Sequence, residues 1–145
     1  MRATDFDAYG ISFFTLDEVA SVAGNMEEFG KVALPLIATL DRTRRATGRP
    51  IHLLRLTRGK SRNFLHGDGM AVDFTSDVGP NETYKAMVDA GFSGIGVYRN
   101  RGRVFSYHGD IAPGPCRRWV ASKDANDNWQ YKGMIQPCLF EGEER

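Results

Sequence analysis

His66-Gly67-Asp68-Gly69-Met70-Ala71-Val72-Asp73-Phe74-Thr75 is the stretch on which the fold turns. A glycine-rich turn leads into a run in which apolar and small or polar side chains alternate, the pattern of a strand with one buried face. Met70, Val72 and Phe74 share the apolar face, which must meet a core. Ala71 and Asp73 share the other, so Asp73 points into a cleft beside a small neighbour. Gly67 and Gly69 give the preceding turn the freedom to carry His66 over that face.

Working outward, residues 51–57 read as a strand, residues 58–65 as a polar loop and residues 70–75 as a second strand. Pro80-Asn81-Glu82 opens a helix that runs to Ala90 and stops at Gly91. Residues 95–99 and 103–108 form a hairpin around Asn100-Arg101-Gly102. On the later strand Val104, Ser106, His108 and Asp110 share a face, while Phe105 and Tyr107 point the other way. If this strand neighbours the first, Asp73 and His108 converge. Upstream, Thr15 and Glu18 form a capping box at a helix start. A longer helix spans residues 28–46 with Val32, Leu36, Ile37 and Leu40 as its apolar stripe. Pro35 either kinks it or marks its true first turn. Arg42, Arg44 and Arg45 read as a solvated helix end, and Gly48 closes it. Helices first, then a small, largely antiparallel sheet with one covering helix, make an α+β domain.

The 145 residues suit one domain, 1–145, with its core over about residues 13–120 and a C-terminal extension over residues 121–145. A hydrophobic share of 41% with 26% charged residues is ordinary globular composition, and the +1 net charge offers no field for nucleic acid. No apolar run approaches a membrane span. The first seven residues lack the apolar segment of a secretory signal, so export by that route is not expected. Cys116 and Cys138 match no thiolate knuckle and read as buried or incidental thiols, with a disulfide between them as the alternative in an oxidising compartment. Residues 124–128 read as a turn and residues 141–145 as a frayed acidic tail.

Two imidazoles and one carboxylate, His66, Asp73 and His108, suit one Zn2+ per chain and leave a tetrahedral position for water. The bland alternatives are a chance His-x6-Asp spacing and a simple His108–Asp110 surface pair. Against them, an unpaired carboxylate in an apolar strand is costly. His52, in a strand with no acidic company, reads as structural. Core packing is the default for Trp119 and Trp129, with walls of a cleft as the alternative.

The motif resembles the zinc D-Ala-D-Ala carboxypeptidase and L-alanyl-D-glutamate endopeptidase family, which shares the hedgehog-like metallopeptidase fold. That family carries Ser-x-His-x-x-Gly-x-Ala-x-Asp and a later ligand histidine. His66, Gly69, Ala71 and Asp73 match, and Phe64 replaces the serine. Tyr107-His108-Gly109-Asp110 followed by Arg117-Arg118-Trp119 resembles the small phage and bacterial branch. Phe14 to Glu18 and Leu40 to Ile51 resemble its lead-in helices.

The resemblance implies hydrolysis of a peptide bond in the peptidoglycan stem, with His66, Asp73 and His108 as ligands. Zinc would polarise the scissile carbonyl and activate water. Many relatives hold an acid three residues before the last ligand, where this chain has Phe105. Asp110 is then the first candidate for general base, an orienting role for it is equally open, and Asp68 is weaker. Arg58 is the expected cation for the substrate carboxylate or oxyanion, with Arg55 and Arg62 behind it. A phage lysis or virion-associated enzyme is the implied setting, with the stem peptide, and virion or tail proteins, as partners. The alternative is a catalytically inactive peptidase-fold module in a virion, favoured by Phe105 and Phe64.

Overall fold

The structure is a computed structural model and describes residues 1–23, 29–30, 32–56, 69–100 and 103–133. Its elements are α1 (Ala3–Ala8), α2 (Leu16–Ala23), α3 (Leu34–Thr47), β1 (Ile51–Arg55), β2 (Ala71–Ser76), α4 (Pro80–Ala90), β3 (Gly94–Asn100), β4 (Arg103–Asp110), β5 (Arg117–Lys123) and β6 (Trp129–Gly133). The strands form one sheet in the order β1-β2-β4-β3-β5-β6. Every neighbouring pair is antiparallel except β3 and β5. The α+β class with a largely antiparallel sheet is therefore as the sequence reads.

Local chemistry sets the helix ends. Thr15 caps α2 by accepting the Glu18 N–H on its hydroxyl at 3.1 Å. Pro35 sits in the first turn of α3 and leaves Val32 and Ala33 outside it, so of the two expectations the first-turn reading holds and the helix starts later than residue 28. Gly48 ends α3 with φ 67° and Gly91 ends α4 with φ 99°, left-handed positions that L side chains adopt only at a cost.

One face of the sheet supplies the core. Val72, Phe74, Ile95, Val97 and Tyr107 are buried against Leu36, Ile37, Leu40 and Met87 from the helices, and Phe74 stacks on Tyr107 at 5.5 Å. Fully burying each large apolar side chain contributes roughly 1.5–3 kcal/mol, which is what holds helices to sheet.

The arginine cluster is a solvated helix end at Arg42 and Arg45, which are exposed, and it also ties neighbouring segments together. Arg42 donates to Ala90 O at 2.9 Å and so ties α3 to the end of α4. Arg44 donates to Phe13 O at 2.6 Å, and Arg45 pairs with Asp41 at 3.3 Å. Asp41 is 2% exposed and accepts the N–H groups of Ser12 and Phe13. The cluster's charges thus satisfy backbone groups of neighbouring segments rather than face water alone.

The sequence reading also leaves out α1 and ends the core near residue 120. The sheet runs on instead through β5 and β6, with Asp124 accepting the Asn126 and Asn128 N–H groups in the turn between them. The acidic tail at residues 141–145 lies outside the described residues.

Candidate metal-binding face

The opposite face of the sheet holds the site residues. Asp73 on β2 is the cross-strand partner of His108 on β4, and Arg55 on β1 is the partner of Asp73. On the other side of His108, Gly96 and Gly94 of β3 lie opposite His108 and Asp110. Period-two alternation therefore brings Asp73, His108 and Asp110 to one face, as the sequence pattern requires, and the register shift between Leu53 and Arg55 sets Arg55 opposite Asp73.

His108 lies between two carboxylates. Its Nδ1 is 3.2 Å from Asp73 Oδ1 and its Nε2 is 3.0 Å from Asp110 Oδ2. His108 is 4% exposed and Asp110 0%, while the Asp73 side chain keeps 21% of its surface open. Burial alone would lower the His108 pKa, but its hydrogen bonds to the Asp110 and Asp73 carboxylates outweigh it, and the pKa is raised above the ordinary imidazole value. A neutral imidazole has only one N–H, so it can donate to one of the two carboxylates and not both. Either a second ring proton or a metal cation at Nδ1 removes that conflict.

Asp110 is fully engaged. Besides His108 it accepts the Ala112 N–H at 3.1 Å and meets Arg117 at 2.5 Å. Burial would raise its pKa, but the His108 and Arg117 hydrogen bonds win, and its carboxyl is held below the ordinary carboxylate range. The neighbouring Arg118 turns away and donates to Ser93 O at 2.7 Å.

Two glycines make room for this arrangement. A Cβ on Gly94 would come 2.1 Å from Asp110 Oδ2, and one on Gly96 would come 2.5 Å from the Trp119 indole. Trp119 consequently lies flat enough across β3 to approach His108, ring centroids 5.1 Å apart, and donates to the Tyr98 hydroxyl at 3.2 Å. Trp119 and Trp129 are half-buried on this open face and do not join the buried core, contrary to the packing expectation. Burial is the main reason the Tyr98 phenol is raised above its usual pKa, which keeps its proton in place.

The spacing of this pair is that of a hydrogen bond, and one tetrahedral zinc ion held by both atoms would need a similar one. Two ligand atoms about 2.0–2.2 Å from one tetrahedral ion stand roughly 3.3–3.5 Å apart, close to the 3.2 Å between Asp73 Oδ1 and His108 Nδ1. Among the described residues no group of three or more His, Cys, Asp or Glu is placed to hold a metal. His66, the third expected ligand, lies outside the described residues, as do Arg58, Arg62, Phe64, Asp68 and Cys138. Arg55 is within them, with Nη1 3.9 Å from Asp73 Oδ2.

Sequence reasoning missed the Arg117–Asp110 pair. Arg117 was visible only as part of an Arg-Arg-Trp run, and the parallel β3–β5 pairing that delivers it opposite Gly94 has no local signature. His52 does have acidic company: its Nε2 lies 3.1 Å from Asp77 Oδ1 on the surface. Cys116 is exposed, so of the two thiol readings offered for it, incidental thiol fits and buried thiol does not. Among the described residues no helix is long and apolar enough to cross a membrane. Comparison with protein-family models, curated proteins and solved structures found no match to this chain.

Proposed function

We propose that the chain is a zinc-dependent peptidase that hydrolyses a peptide bond in the peptidoglycan stem, of DD-carboxypeptidase or endopeptidase type. The reading rests on one observation above the rest: Asp73 and His108, 35 residues apart in sequence, meet with ring nitrogen and carboxylate oxygen 3.2 Å apart on the sheet face opposite the core. His66, Asp73 and His108 are the proposed ligands. Zinc, when bound there, supplies a Lewis acid for the scissile carbonyl and lowers the pKa of water.

The chain's own residues then have separable tasks. Asp110 accepts from His108 Nε2 and so fixes the ring with Nδ1 toward Asp73, the second-sphere carboxylate arrangement common around ligand histidines. Arg117 holds that carboxylate anionic and in place. Asp110 is thus a positioning residue rather than the general base, because its oxygens are already committed to three partners. Arg55 takes the role of the cation beside the reacting carbonyl or substrate carboxylate, with Arg58 as the second candidate. We place the enzyme in phage lysis or on a virion, where tail or capsid proteins would be its partners.

Incubation with purified cell walls, with new amino termini quantified, tests the activity; no release by zinc-loaded protein from several wall types would overturn it. The Asp110 role is tested separately. Asp110→Asn should weaken zinc binding about 10–100-fold, whereas a general base would lose turnover with zinc affinity unchanged. The second reading, an inactive peptidase-fold module serving as a virion structural protein, is favoured by Phe105 at the position of the family's acid together with the full engagement of Asp110. It shares the zinc expectation and differs in releasing nothing from the wall.

A further inference from the structure

The sheet register lays out the face around Asp73 and His108 residue by residue. Across the strands one row reads Arg55, Asp73, His108, Gly96, Trp119 and Gly133. The row beside it sets Tyr98 of β3 opposite Ser106 of β4. Tyr98 is two residues along β3 from Gly96 and so shares its side of the sheet. It is therefore a diagonal neighbour of His108, at a spacing of about 7–8 Å that a long aromatic side chain spans.

Trp119 joins the two. Gly96 leaves room for its indole over β3, 5.1 Å from the His108 ring, and its Nε1–H donates to the Tyr98 hydroxyl at 3.2 Å. That bond fills one lone pair of the phenol oxygen and leaves its proton uncommitted: among the described residues Tyr98 donates to no group. Trp129 and Tyr131 meet the Tyr98 ring edge-on at 5.2 Å and 6.4 Å and help to hold it. The phenol is half-buried, and burial above all raises its pKa, so it stays protonated throughout the neutral range. A held O–H with no acceptor of its own suits an oxygen that arrives from outside.

Peptide hydrolysis supplies such an oxygen. As the water oxygen bonds to the scissile carbonyl carbon, the carbonyl π pair moves onto its oxygen, which then needs donors already in place. The C–N bond breaks, the pair returns to the carbonyl, and the nitrogen leaves with both protons of the water, giving a carboxylate and an ammonium. Tyr98 lends a hydrogen bond and gives up no proton. The two flanks of the Asp73–His108 pair thus carry different donors, the Arg55 guanidinium beyond Asp73 and a neutral phenol beyond His108. A guanidinium also binds ground-state carboxylates, whereas a neutral O–H gains most when the carbonyl oxygen becomes charged, and only that gain accelerates the reaction.

We propose that Tyr98 is a catalytic residue of this site, donating through its hydroxyl to the carbonyl oxygen of the scissile peptide bond as that oxygen gains charge. The inference rests on the peptidase reading and adds a residue which that reading does not use.

Zinc-loaded parent, Tyr98→Phe and Tyr131→Phe are compared on soluble stem pentapeptides and in titrations with a phosphinic dipeptide analogue of the bond the parent cleaves. Tyr98→Phe keeps the ring and its aromatic contacts, so it should fold and bind zinc as the parent does. Its kcat should fall about 100-fold at an almost unchanged KM, and the analogue should bind it about 100-fold more weakly. Tyr131→Phe, which also removes a phenol next to Tyr98, should match the parent in both. A second measurement needs no variant: with carbon-13 at tyrosine Cζ in the parent, analogue binding should shift the Tyr98 signal. Parental kcat and parental analogue affinity in Tyr98→Phe overturn the proposal and leave the peptidase reading standing. So does an equal loss in Tyr131→Phe, a Tyr98 signal that stays in place, or a kcat loss matched by weaker zinc binding, which marks a structural role. A parent that takes up zinc and cleaves no stem peptide overturns the peptidase reading itself, and this proposal with it.

Discussion

Replacing Gly94 with alanine asks whether the buried Asp110 carboxylate is as tightly held as its partners suggest. The new Cβ would stand 2.1 Å from Asp110 Oδ2, where carbon and oxygen ordinarily stay about 3.3 Å apart. Asp110 must therefore retreat by about 1.2 Å, or β3 must move away from β4. Retreat costs hydrogen bonds, since the carboxylate is fixed by His108 at 3.0 Å, Ala112 at 3.1 Å and Arg117 at 2.5 Å. Overpacking a filled site costs about 1–3 kcal/mol, and losing one charged hydrogen bond adds about 1.5–3 kcal/mol. We expect Gly94→Ala to lose about 3–5 kcal/mol, or roughly 6–20 °C in melting temperature for a chain of this size. Gly133→Ala is the control, because a Cβ there meets nothing within 4 Å, and it should stay within about 0.5 kcal/mol of the parent. Differential scanning calorimetry on both variants decides the matter. If Gly94→Ala melts with Gly133→Ala, Asp110 is not locked, and its assignment as a positioning residue fails with it.

Zinc at a hundredfold excess over its dissociation constant should stabilise the protein by about 2.7 kcal/mol, a rise in melting temperature of roughly 5–11 °C. The rise should vanish in His108→Ala and in His66→Ala; its survival in His66→Ala would remove that residue from the ligand set. Asp41→Ala strips the acceptor from the Ser12 and Phe13 N–H groups and should cost about 2–3 kcal/mol, read as a lower urea midpoint at unchanged slope. Equal midpoints would mean that the N-terminal segment is held by its apolar contacts alone. The Asp124 carboxyl is held below its ordinary pKa chiefly by the Asn128 N–H, with Asn126 and Gln130 also donating. A lowered pKa in the fold means stability that is present above the unfolded value and lost as pH falls through the folded one. The Asn126 and Asn128 amide resonances should therefore hold their positions down to the ordinary carboxylate range and move only below it. A midpoint at or above that range would show that the turn does not favour the anion.

What the sequence disclosed and what it hid follow from the range of the forces involved. Helix ends and the β2 and β4 face alternation are fixed by period and by local chemistry at Thr15, Pro35, Gly48 and Gly91, all of which act within a few residues, whereas the Asp73–His108 meeting also needs β2 to pair with β4. Asp41 instead reaches back 28 and 29 residues to cap the N-terminal segment, and Arg117 finds Asp110 because β5 pairs in parallel with β3. No composition or spacing encodes those choices locally. Strands β5 and β6 were hidden for a related reason: they lie at the sheet's far side, with only Ala121 fully buried among their described positions. They therefore lack the continuous apolar signal that marks β2 and β3.

Asp73 and Asp110 stand on one face and flank one imidazole, yet their surroundings assign them different chemistry. Asp110 is closed to solvent and neutralised by Arg117, so its charge is spent on holding a ring nitrogen and a backbone N–H. Asp73 keeps a fifth of its side-chain surface open, with Arg55 Nη1 3.9 Å from its Oδ2. The pairing therefore has a direction. His108 Nδ1 meets the half-buried Asp73, while Nε2 meets the fully buried Asp110. A simple imidazole–carboxylate surface pair would need neither the buried arginine contact nor the two glycines that clear space for Asp110 and Trp119. Those features make sense where the ring's orientation matters to something bound in front of it.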